Sequence, residues 1–297
     1  MVKTQRWKRR GSTGEATAET TDGATEQDPP DGDTLTETPA DDALTPPVSP
    51  GPEPQRRAPG RLGLRDRLPV VLLQAAHPRQ ALMTALFVGA AAAISGRATR
   101  EVAVVFATVL VGQVILGWHN DLVDRRRDAR HDIPGKPLSD ERLDPGTAWF
   151  ALTCAVLLVV PLSVTSGVTA GSAYLLSLVV GLLGNVVLRK GFFSWLPWAV
   201  SYGLIPAYLS YGGWGGEFEG DPPRILMTAL FALLGVGVHF LRALWGLVPD
   251  NEDGWTYLPL KLGLRLGATR LLVVSGIYTS VVLVLIVFAA TYSGLAQ

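Results

Sequence analysis

Seven apolar runs dominate the chain between residues 80 and 292, and each is close to the length that spans a lipid bilayer. A crossing helix needs ~17–25 mostly apolar residues, and its backbone must satisfy its own hydrogen bonds because the hydrocarbon offers no water. The runs fall near 80–96, 102–118, 147–165, 170–188, 195–211, 225–245 and 270–292. Only Thr-Ser-Gly-Val separates the third from the fourth, which predicts a tight turn. Pro161, Pro197 and Pro206 lie inside runs, where neighbouring helices can re-satisfy the freed backbone groups. Before the first run, Leu64 to Pro78 mixes charge with apolar residues, which predicts a short helix along the interface. The expectation is an all-α, multi-pass transmembrane helix bundle.

The first sixty residues differ in kind. They are rich in Thr, Pro, Gly, Asp and Glu and hold almost nothing to bury, so ordering them would cost more than any core could return. We expect a disordered cytoplasmic tail over 1–60 and the transmembrane domain over 61–297. The tail opens with Lys3, Arg6, Lys8, Arg9 and Arg10, but no apolar run follows, so it does not read as a signal peptide. A basic cluster of this kind touches anionic lipid at most. Net charge is zero, so nothing points to a nucleic-acid partner. The single cysteine, Cys154, cannot form a disulfide within the chain and excludes a cysteine-rich metal site.

Lys and Arg placement orients the bundle, because cytoplasmic connections carry the positive excess. The connection after the second run holds Arg125, Arg126, Arg127, Arg130, Lys136 and Arg142. Arg189 and Lys190 follow the fourth run, and Lys261, Arg265 and Arg270 follow the sixth. The opposite side has Arg97, Arg100 and Arg224. The tail and the even-numbered exits are therefore expected in the cytoplasm of a cell-membrane protein. The two long polar connections, 119–146 and 246–269, then share one face.

On that face stand Asn120, Asp121, Asp124 and Asp128. If the second helix continues past the lipid, the three aspartates fall on one side of it, since residues three and four apart are neighbours. Carboxylates so arranged repel unless something positive stands among them. Mg2+ prefers hard oxygen ligands and is usually held by one or two carboxylates plus substrate phosphates, and the adjoining arginines would meet the remaining phosphate charge. The plainer alternative is a hydrated, salt-bridged helix end.

The stretch NDLVDRRRDARHDIPGKPL resembles the first signature of the UbiA-type membrane prenyltransferases, NDxxDxxxD followed by a basic link ending in Arg-Pro or Lys-Pro. NVVLRKGFFSWLPWAVSYGLIPAYL resembles that family's basic position after the fourth helix and its entry to the fifth. HFLRALWGLVPDNEDGWTYLPLKLG resembles the second signature, an Asp-rich loop closing on LP-x-x-LG. The first match is specific and the other two support it; together they run from about residue 77 to 270. The resemblance implies a cavity under a cytoplasmic cap, where Mg2+ held by two Asp motifs activates an isoprenoid diphosphate donor and an aromatic or lipid acceptor attacks the allylic cation. It implies Asp121, Asp124, Asp128 and Asp250 as catalytic metal ligands, joined by Asp253. Asn120 would orient them, and Arg127, Lys136, Arg189 and Lys190 would face the diphosphate.

The chain also departs from the pattern. Arg242 stands where the family has Asn, and Gly246 where it has the first Asp of the second motif. Asp250 remains, followed by Glu252 and Asp253, and Asp250 and Asp253 could serve as an i,i+3 pair with help from Glu252. The family usually has nine crossings against seven here, so the bundle closes by homo-oligomerisation or its cavity is incomplete. The family also includes phosphoribosyl-type transferases and isoprenoid cyclases. A degenerate, non-catalytic lipid-binding or partner subunit is the reading from another class. His119 and His131 read as interfacial polar residues, and His239, inside the sixth run, as a functional candidate. The tryptophans near run ends read as an aromatic belt.

Overall fold

In the computed structural model, which describes residues 67–213 and 220–292, every apolar run becomes helical and no strand occurs among the described residues. The expected tail, residues 1–60, lies outside them. A short helix α1 (Leu68–Ala75) precedes α2 (Pro78–Ile94) and α3 (Thr99–Arg130). After a folded link come α4 (Pro145–Val164) and α5 (Val168–Gly184). A 3-10 turn at Phe192–Trp195 leads into α6 (Leu196–Gly203) and α7 (Ile205–Ser210). The chain continues through α8 (Ile225–Ala243), α9 (Leu247–Glu252), α10 (Leu258–Leu266) and α11 (Ala268–Tyr292).

Four of these helices, α3, α4, α8 and α11, are long and apolar enough to cross a membrane. Two more, α2 and α5, are apolar and 17 residues long, at the lower end of the ~17–25 range. The fifth run, expected as one helix, is broken. α6 stops at Gly203 and α7 runs from Ile205, because the Pro206 nitrogen has no proton to donate and its ring crowds the carbonyl four residues earlier.

The apolar helices pack largely in chain order: α2 on α3, α3 on α4, α4 on α5, α5 on α6 and α7, α6 on α8, and α8 on α11. Their shared core holds Val88, Val105, Val109, Ile115, Tyr174, Tyr208, Phe231 and Leu234. Polar side chains inside it are paired across helices. Ser177 Oγ donates to the Ser201 carbonyl at 2.8 Å, and the Tyr174 hydroxyl to the Thr108 carbonyl at 3.2 Å. The outer surface is the reverse of a soluble protein's, with Phe150, Leu157, Ile225, Val284 and Phe288 among many exposed apolar residues. Such a continuous greasy exterior is a surface for lipid, and the chain is a membrane protein.

Three features place the site. α3 runs for 32 residues, so its last turns carry the aspartate motif beyond the apolar part of the helix. Gly117 lets the α1–α2 corner lie directly on α3, since a Cβ there would come 2.7 Å from the Ala76 carbonyl oxygen. Trp118 Nε1 fastens the corner by donating to the Leu72 carbonyl at 2.8 Å. A second small core of Val71, Ala75, Leu138, Leu143 and Ala148 holds α1 against the α3–α4 link.

Candidate active site

Asp121, Asp124 and Asp128 project from one side of α3 and are all buried, Asp121 to 1% exposure and Asp128 to 4%. Their neighbours are cations. The α3–α4 link turns back through Asp132 and Gly135, both at positive φ, and brings the Lys136 ammonium onto Asp121 and within 3.4 Å of Asp128 Oδ2. Gln74 Nε2 and Arg125 Nε pin that link through the Gly135 and Leu138 carbonyls, each at 3.2 Å. His77, in a left-handed conformation at the start of α2, sets Nε2 2.8 Å from Asp121 Oδ1. Asp124 is paired with Arg189, which itself donates to the Asn185 carbonyl at 2.9 Å.

The second acidic segment meets the first across Arg127. This guanidinium, on α3, pairs with Asp250 and reaches Asp253 Oδ2 at 2.6 Å. His131 Nε2 lies 3.0 Å from Asp253 Oδ1, and the Tyr257 hydroxyl donates to Asp250 Oδ2. Burial pushes the Asp250 carboxyl above the usual carboxylate range, although Tyr257 and Arg127 act against it. Burial also acts to raise Asp253, but hydrogen bonds from His131 and Arg127 outweigh it and hold that carboxyl below its ordinary value. Burial and the Asp250 charge push the Tyr257 phenol up, so it stays a donor. Trp255 lies between the cations, its ring centroid 4.5 Å from Arg127 and 4.7 Å from Arg189, with Lys190 at 5.6 Å. The Lys190 carbonyl accepts from Thr256 N at 3.0 Å, so this loop is tied to α5's exit as well.

Gly246 has a steric role. A Cβ there would lie 2.6 Å from Asp250 Oδ2, so the bare backbone is what allows that carboxylate to fold back where it does.

Beside Asp121 a cavity opens, lined by His77, Gln80, Gln113, Asn120, Asn185, Trp198 and Arg242. It adjoins an apolar chamber walled by Phe87, Val88, Val109, Leu178, Ile205 and Phe231, the two sharing Gln113, Leu116, Ser201 and Tyr202. The interior thus grades from polar near the aspartates to apolar within the bundle.

Of the residues expected here, Asp121, Asp124, Asp128, Asp250, Asp253, Arg127, Lys136 and Arg189 all come together. Lys190 joins through Trp255. Asn120 lines the cavity and, among the described residues, makes no hydrogen bond to the aspartates. His131 is engaged with Asp253 and Glu252, and His239 with Ser194 Oγ at 3.0 Å, which makes His239 a satisfied core group. His77, Tyr257 and Trp255 were not anticipated. A His-Pro pair just before an apolar run was the one available signal for His77.

The donor set suits a hard divalent cation: several carboxylates with Asp121 Oδ2 and Asp128 Oδ2 buried and lacking a hydrogen-bond partner. As the side chains stand, no three acidic, histidine or cysteine groups among the described residues gather closely enough to hold one ion. Lys136 and Arg189 occupy the ground between them, so a cation entering here has to displace those ion pairs.

These features define a polytopic helical membrane protein with a carboxylate-rich site next to an internal cavity, the two joined through His77. Residues 81–296 match the model of the UbiA prenyltransferase family, and the chain belongs to that family. The fold is similar to that of a UbiA homolog from Archaeoglobus fulgidus bound to GPP and Mg2+, at TM-score 0.56 and 14% identity over 75% of this chain and 82% of that one. The same homolog bound to DMAPP and Mg2+ gives 0.55 and 15% over 72% and 75%. Its form bound to Cd2+ gives 0.52 and 14% over 76% and 90%. At such identities the likeness is one of fold. No curated protein matches the chain by sequence.

Proposed function

We propose that this protein is an Mg2+-dependent intramembrane transferase that moves an isoprenoid group from its diphosphate to an aromatic or lipid acceptor. The observation that carries the reading is the meeting of two acidic segments, from α3 and α9, beside a cavity that grades into an apolar chamber. The similar Archaeoglobus structures, bound to GPP or DMAPP with Mg2+, support it.

Asp121, Asp124, Asp128 and Asp250, with Asp253, would hold the metal, which when bound neutralises diphosphate charge and makes it a better leaving group. Arg127, Lys136, Arg189 and Lys190 would exchange their carboxylate or aromatic partners for diphosphate oxygens, for which guanidinium and ammonium groups are well suited. The carbon–oxygen bond to the isoprenoid breaks, its electron pair leaving with the diphosphate. The acceptor supplies the pair for the new bond and releases a proton. The tail would lie along Phe87, Val109 and Phe231, which have to part to admit it because the cavity there is only about 30 Å³, and they would keep water from the developing cation. The basic connections favour the cytoplasmic side of the cell membrane for this end of the bundle.

The test is a screen of radiolabelled prenyl diphosphates of varied length, and a phosphoribosyl diphosphate, in reconstituted membranes with and without Mg2+. Prenylated product only with Mg2+ supports the reading. A second reading, a non-catalytic lipid-binding subunit, draws on Gly246 in the motif and on the existing ion pairs of the acidic cluster. It predicts no product from any donor at saturating Mg2+.

A further inference from the structure

Trp255 reads in the sequence as one more tryptophan of an aromatic belt, but its surroundings are those of a charge cluster. A belt tryptophan sits at headgroup level with its ring against lipid. This one is half-buried, and its ring centroid lies 4.5 Å from Arg127, 4.7 Å from Arg189 and 5.6 Å from Lys190. The ring is fixed from its own backbone. Trp255 N donates to the Asp250 carbonyl at 2.9 Å, and Thr256 N to the Lys190 carbonyl at 3.0 Å. The Tyr257 ring meets the indole edge-on, 6.0 Å between centroids. Gly254, at φ 71°, makes the turn that precedes it.

Cations brought this close repel, and in this structure carboxylates offset the repulsion. Asp124 pairs with Arg189, and Asp250 and Asp253 pair with Arg127. These are the carboxylates that the transferase reading gives to the metal. Once they turn to it, Arg189 keeps the Asn185 carbonyl and the indole. The Arg127 side chain keeps, among the described residues, the indole alone. An aromatic face attracts a guanidinium through its quadrupole, yet it offers no hard oxygen to Mg2+, so the metal does not compete for it. A guanidinium held by its face also has its N–H edge left for paired bonds to phosphate oxygens. Lys136 is the contrast. Its partners are Asp121, Asp128 and His77, and no ring supports it among the described residues.

We propose that Trp255 is a positioning residue, whose indole keeps Arg127 and Arg189 in place for the donor's diphosphate while their aspartates engage the metal. This rests on the transferase reading and adds to it a side chain that acts through the two arginines rather than by touching substrate.

The test reads binding of inorganic pyrophosphate, with Mg2+, to the full-length protein in nanodiscs by isothermal titration calorimetry. Trp255→Leu keeps apolar bulk without an aromatic face and should weaken pyrophosphate by about tenfold. Trp255→Phe keeps a smaller face and should stay within about threefold of the wild type. Tryptophan carrying one, two or three ring fluorines, placed at position 255 by codon reassignment, keeps the shape while draining the negative face. Affinity should fall with each added fluorine, whereas a purely structural tryptophan would tolerate them all. That series gives the answer even where Trp255→Leu fails to fold. The proposal is overturned if the wild type binds no pyrophosphate, if affinity is level across the fluorinated series, or if folded Trp255→Leu binds as tightly as the wild type. Failure of the transferase reading shows separately, as absence of product from every prenyl diphosphate in the donor screen with the fluorine dependence of pyrophosphate binding intact.

Discussion

The Arg127 guanidinium on α3 pairs with Asp250 on α9, joining two acidic segments whose partners are 123 residues apart in the chain. Asp250 is only 5% exposed, so removing the arginine leaves a buried carboxylate without its cation. Loss of one member of such a pair is costly, on the order of 3 kcal/mol. Arg127→Ala should therefore lower the melting temperature in detergent, while Arg127→Ala combined with Asp250→Asn should recover most of the loss. Additive destabilisation in the double variant would show that the pair does not hold the two segments.

Much of this end of the molecule could be read from the sequence because it depends on local spacing. Asp121, Asp124 and Asp128 needed only a helix that continues, whereas Lys136 was legible only through the resemblance of its Lys-Pro pair to the family's signature. Charge asymmetry put the two long connections on one face. What sequence could not give was long-range. His77 reaches Asp121 across 44 positions through a left-handed corner, and Tyr257 meets Asp250 only because the 246–257 loop curls on itself. Trp255 fits an aromatic belt as well as it fits a cation platform, and only packing separates the two. The break at Leu204 likewise came from where the Pro206 ring had to fit.

A side chain at Gly246 should displace the Asp250 carboxylate. Its φ of −102° is open to any residue, so the constraint is steric: an added Cβ falls on Asp250 Oδ2. Gly246→Ala is expected to push Asp250 off Arg127 and Tyr257 and to reduce turnover by about tenfold, as a misplaced supporting contact does. Gly246→Asp should do worse, through like-charge repulsion as well. Activity equal to wild type in the alanine variant would mean that Asp250 works from another position.

Tyr257→Phe should move the acid limb of the rate profile. The Tyr257 hydroxyl donates to the ionised Asp250 and so favours the charged form, against burial, which raises this carboxyl. Removing the donor raises it further, so more Asp250 is protonated at a given pH. If the ionised carboxylate is the working form, kcat/KM measured from pH 5 to 8 should fall off at higher pH in the variant than in wild type. A limb that stays in place, or moves to lower pH, would separate Asp250 from the rate-controlling ionisation.

Asp124→Asn is the sharpest probe of the metal reading, because it removes one charge while keeping shape and an oxygen that can still accept from Arg189. The fold should survive, since Arg189 keeps its bond to the Asn185 carbonyl. Turnover should drop by at least about 100-fold, the scale for losing one preorganised electrostatic contact. Chelation should abolish wild-type turnover, and restored Mg2+ should both recover it and raise the melting temperature, because a cation that binds only the folded state stabilises it by mass action. In Asp124→Asn that thermal response should be lost or shifted to far higher Mg2+ concentration. An unchanged response together with full activity would place the cation, and the chemistry that depends on it, away from the α3 aspartates.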